Sequence, residues 1–89
     1  MRLSEQKITR GNAVEVKEEV VKAAHAGDVV LDLSSVRSVD STSVAILLSW
    51  VRILQSAQLQ PRICGVPDKM LSLMKLYGVE RILSPYFEA

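Results

Sequence analysis

The sequence predicts one α/β domain: a small, partly parallel sheet packed with helices. Three observations carry that reading. The chain has 89 residues, which allows a single domain spanning 1–89. Short β-branched runs alternate with longer stretches of helical period, in the order strand, helix, strand, helix, strand, helix. Apolar residues make up 48% of the chain but aromatics only 4%, so the core must be aliphatic, built from Val, Leu, Ile and Ala.

Each element has its own signal. Met1 to Arg10 alternates weakly through Leu3 and Ile8 and leaves room for about one strand before Gly11-Asn12. Asn12, with Glu15 three residues on, predicts a capping box and a helix from about Ala13. Val16, Val20, Ala23 and Ala24 fall on one face of that helix, and Gly27 ends it. Asp28 to Leu33 is apolar at nearly every position, as a strand covered on both faces requires. A second helix runs from about Ser41 to Ala57, and Arg62 to Val66 forms a short strand. Pro67 is placed at the first position of a third helix, with Asp68 in its first turn. That helix carries Met70, Leu71, Met74 and Tyr77 on one side and stops at Gly78. The tail after it holds a turn or a last strand.

The bulk properties exclude several classes of function. The formal net charge is +1, so no basic surplus exists to meet nucleic-acid phosphates or an anionic lipid surface. Cys64 and His25 are the only residues of their types, which rules out a Cys/His zinc cluster and an internal disulfide. His25 reads as a helix-end cation, Cys64 as a thiol in an apolar strand, and neither has a catalytic partner in view. No metal and no cofactor is expected. No N-terminal stretch has a basic region followed by an apolar segment, so no signal peptide is expected, and the longest apolar segment, Val44 to Leu54, is too short to span a bilayer. The expectation is a cytoplasmic protein without direct membrane insertion.

The informative stretch is Asp40-Ser41-Thr42-Ser43 and the helix behind it. Asp and Ser side chains satisfy the free N–H groups at a helix start, so capping is the simplest reading. The same helix end favours an anion, which makes a hydroxyl there either a contact for an acidic group or a phosphate acceptor. Within the helix, Val44, Leu47, Leu48 and Val51 group on one side, and Ile46, Trp50, Ile53 and Ala57 on another. Two explanations fit the second stripe: flanking helices bury it, or a partner covers it with Trp50 at the centre. The expected partner-binding or regulatory surface comprises Asp40, Ser41, Thr42, Ser43, Ile46, Trp50 and Ile53.

Those residues carry a family resemblance. Val29 to Ser34, then Val39-Asp40-Ser41 with an apolar helix, then Gly65-Val66, resembles a STAS domain, the fold of the anti-sigma-factor antagonists. Gly65-Val66-Pro67-Asp68-Lys69 and Lys75-Leu76-Tyr77-Gly78-Val79 further resemble the STAS subunits of Mla-type phospholipid transporters. The resemblance implies a non-catalytic, cytoplasmic subunit peripheral to the inner membrane. It would bind the ATPase of an ABC transporter and, through it, a permease and a periplasmic lipid-binding subunit. The antagonists imply the alternative, a switch phosphorylated at Ser41, although Ser43 stands where their motif has glycine. STAS domains begin with two strands, so the shorter N-terminal region here is a departure.

Overall fold

The computed structural model describes residues 1–88. Its elements are β1 (Lys7–Ile8), α1 (Ala13–His25), β2 (Val30–Asp32), β3 (Ser38–Val39), α2 (Ser41–Ser56), β4 (Arg62–Cys64), α3 (Asp68–Leu76) and α4 (Glu80–Leu83). A 3-10 turn, Ser84–Tyr86, follows. Every strand pairing among the described residues is parallel. β1 lies beside β3 with Ile8 opposite Val39, and β2 lies beside β4 with Leu31 opposite Ile63. Single bridges, Arg2 to Asp32 and Ile63 to Phe87, add the N-terminal segment and the tail to the flanks of β2 and β4. The stretch before α1 thus makes two short contacts, Arg2 with Asp32 and Lys7–Ile8 with Ser38–Val39.

The core is aliphatic apart from Trp50. Leu31, Leu33 and Ile63 from the sheet meet Val16, Val20 and Ala24 of α1, Leu47, Val51 and Leu54 of α2, and Met70 and Met74 of α3. α2 lies between α1 and α3 and packs on both.

All three long helices end alike. The first residue past the C-cap adopts a positive φ and the next N–H reaches back five residues, from Asp28 to Ala23, Leu59 to Leu54 and Val79 to Met74. Gly27 and Gly78 take this conformation without a Cβ penalty, whereas α2 uses Gln58 at φ 60.

Three local expectations are corrected. The Asn12–Glu15 capping box does not form; Asn12 turns its side chain back to Lys7 and Thr9 instead. Pro67 occupies the N-cap of α3 rather than its first turn. Tyr77 leaves the α3 core face, because the helix ends there, and is 54% exposed.

Candidate docking site

Asp40 organises the start of α2. One carboxylate oxygen accepts the Thr42 N–H at 2.9 Å and also the Thr42 hydroxyl; the other accepts the Arg10 N–H at 2.8 Å. The Thr42 hydroxyl, then the Arg10 N–H, hold the Asp40 carboxyl below its usual pKa. Ser43 is buried and its hydroxyl donates to the Asp40 carbonyl at 2.7 Å. Capping therefore occupies Asp40, Thr42 and Ser43. Ser41 differs: it is exposed, and its hydroxyl has no hydrogen-bond partner among the described residues.

The expected exposed stripe on α2 is corrected. Trp50 is 0% exposed and Ile46 5%, while Ile53 is half-buried against the core. At about 100° per residue, the two apolar groups turn out to be flanks of one buried face roughly 160° wide. Ser43, Leu47 and Leu54 form its middle, and all three are buried. The breadth follows from the position of α2 between two helices; α1 covers the Trp50 flank. The indole Nε1 is buried without a hydrogen-bond partner among the described residues.

Of the second stripe, only Ile53 and Ala57 reach the surface, in a groove against α1 that Leu59 also lines; further exposed apolar surface lies at the start of α2. A shallow groove of roughly 220 Å³ is lined by Ser41, Val44, Ala45, Leu48, Tyr77 and Val79. It joins the first turns of α2 to the C-terminal end of α3. Leu76, 74% exposed, sits beside it in sequence, and Ile82 of α4 is also exposed. Of the sequence-derived site residues, the groove holds only Ser41. Val44, Ala45, Leu48 and Val79 are not among them, and the sequence reading puts Tyr77 on one side of the third helix with Met70, Leu71 and Met74. The usable signal was Gly78: an aromatic residue at the last position before a helix-ending glycine has no further turn to cover it.

The arrangement can bind an apolar partner surface at a rim carrying one free hydroxyl. The neighbouring Asp40 carboxylate accepts from Thr42 and Arg10, and among the described residues no hydrogen bond joins it to the Ser41 hydroxyl. The Cys64 thiol pKa is raised, first by partial burial and then by the Asp32 and Glu88 carboxylates. No helix among the described residues is long and apolar enough to cross a membrane.

This layering of parallel strands and helices is that of the STAS fold. The anti-sigma factor antagonist SpoIIAA, solved in its unphosphorylated form, is similar with a TM-score of 0.67 over 99% of this chain and 76% of that chain, at 14% sequence identity. Residues 2–84 match the family described as MlaB, STAS domain, and the chain belongs to that family. A search among curated proteins gives no match.

Proposed function

We propose that this chain is the non-catalytic STAS subunit of an ABC phospholipid transporter at the inner membrane, serving outer-membrane lipid asymmetry. It binds the cytoplasmic ATPase subunit and supports its assembly and activity; the permease and a periplasmic lipid-binding subunit are reached through that ATPase. The family description supports the transporter, since it is the MlaB type. The observation that carries the docking role is the groove beside Ser41, lined in part by the exposed Tyr77 in a chain otherwise poor in aromatics, with its sequence neighbour Leu76 exposed as well. Exposed apolar patches of this kind mark protein interfaces, and Tyr is enriched where their binding energy concentrates. Purification of a tagged chain from its own host tests the reading. Recovery of an ABC ATPase with its permease is expected; recovery of neither contradicts it.

A second reading is an anti-sigma factor antagonist switched by phosphorylation of Ser41. It is favoured by the likeness to SpoIIAA and by the free, exposed Ser41 hydroxyl at a helix start. A phosphate there would meet the N-terminal end of α2 beside the Asp40 carboxylate, one favourable and one repulsive neighbour. Intact-mass measurement of protein from cells distinguishes the two: a phosphorylated fraction that disappears in Ser41→Ala supports the switch, and its absence under all growth conditions removes it.

A further inference from the structure

The outer edge of β1 is closed by a side chain. Gln6 and Ile8 turn their carbonyls toward β3: Gln6 accepts from Arg37 at 2.7 Å and Ser38 at 3.1 Å, and Ile8 accepts from Asp40 at 3.1 Å. Successive residues of a strand face opposite neighbours, so Lys7 and Thr9 face the open edge. There the Asn12 carboxamide folds back. Its Oδ1 accepts the Thr9 N–H at 2.9 Å and its Nδ2 donates to the Lys7 carbonyl at 2.9 Å. A residue of an adjoining parallel strand would make this same pair of bonds, donating to one carbonyl and accepting from the N–H two residues on. Asn12 therefore imitates one residue of a missing strand.

The edge continues below this plug. Leu3 donates to Asp32 at 3.1 Å, and Met1 accepts from it at 2.8 Å, so both face β2. Arg2 and Ser4 face outward, both are exposed, and no described strand pairs with them on that side. An unpaired edge is a template for another strand. A second copy of the chain presents the same edge, and two identical edges about a twofold axis pair antiparallel.

We infer that Asn12 is a strand stop that prevents the N-terminal edge from pairing with that of a second copy. Sedimentation velocity of wild type and Asn12→Ala over a wide concentration range tests this, with far-UV circular dichroism as the check on folding. Wild type is expected to show no association through this edge, whereas Asn12→Ala doubles in mass as concentration rises. Adding Ser4→Pro, which removes an outward N–H, returns the variant to the mass of wild type. If Asn12→Ala does not fold, Asn12→Gly gives the same readout, since glycine is tolerated at an N-cap. A folded variant that stays monomeric throughout would falsify the inference and leave Asn12 a turn residue only. Wild type already dimeric through this edge, shown by dissociation in Ser4→Pro, would overturn it too.

Discussion

The carboxylate of Asp40 accepts the backbone N–H of Arg10 at 2.8 Å across a separation of 30 residues. One side chain thereby caps α2 and fixes the chain leaving β1 against that cap. Asp40→Ala removes the Thr42 and Arg10 bonds together. The urea midpoint is expected to fall, and the Arg10 and Thr42 amides to exchange faster than their neighbours. Loss at Thr42 alone would show that the tie to β1 contributes nothing.

Trp50 is an interior residue, and its substitutions should behave accordingly. Trp50→Ala is expected to cost about 3–5 kcal/mol, and Trp50→Glu, which buries an unpaired charge, to prevent folding. Tyr77→Glu and Leu76→Glu, both at exposed positions, should stay within about 0.5 kcal/mol of wild type. Urea denaturation followed by circular dichroism separates the two classes. A folded Trp50→Glu would contradict the assignment of this helix face to the core.

Gln58 holds at φ 60 the place that glycine holds after α1 and α3. Gln58→Gly removes the Cβ clash of that conformation and is expected to stabilise the chain by about 0.5–1 kcal/mol. A lower urea midpoint would mean that the Gln58 side chain makes a compensating contact.

Stability should depend on pH in two opposed ways. The folded chain holds the carboxyls of Asp28, Asp32 and Asp40 below their usual pKa, chiefly through the chain amino terminus, Ser34 and Thr42 respectively. Their stabilisation is present above the unfolded Asp value of about 3.9 and is lost as pH falls through the folded values. Glu19 is exposed, yet its carboxyl pKa is raised, first by partial desolvation and then by the Glu5 carboxylate. Its contribution is fully present below its unfolded value and is lost as pH rises through the folded one. The urea midpoint should therefore be no lower near about pH 5 than near about pH 7, and should drop steeply near about pH 3. A midpoint unchanged down to about pH 3 would contradict the acid limb.

The fold was legible because the elements have strong local signals. Gly27 and Gly78 end helices where expected, α2 begins at Ser41 behind its Asp40 cap, and β4 begins at Arg62. The site was harder to see. Leu47 and Leu54, with the small polar Ser43 beside them, join the two stripes of α2 into one buried face, and neither Leu54 nor Ser43 belonged to a stripe. The Ser43 hydroxyl is satisfied locally by the Asp40 carbonyl, which is why it can be buried at all. Asn12 resembled a cap by spacing, yet tertiary proximity to Lys7 and Thr9 recruited its amide. Nothing in periodicity shows which exposed residues of α2 and α3 meet; that depends on how the two helices pack.

The central claim is that the groove joining Ser41 to Tyr77 holds the ATPase subunit. The direct measurement is the amount of ATPase retained by tagged wild type, Tyr77→Glu and Val14→Glu purified in parallel. Val14 is 67% exposed on α1 and serves as the control. Wild type and Val14→Glu should retain equal amounts, and Tyr77→Glu at least about tenfold less, the equivalent of about 1.4 kcal/mol. Full retention by a folded Tyr77→Glu would contradict the account.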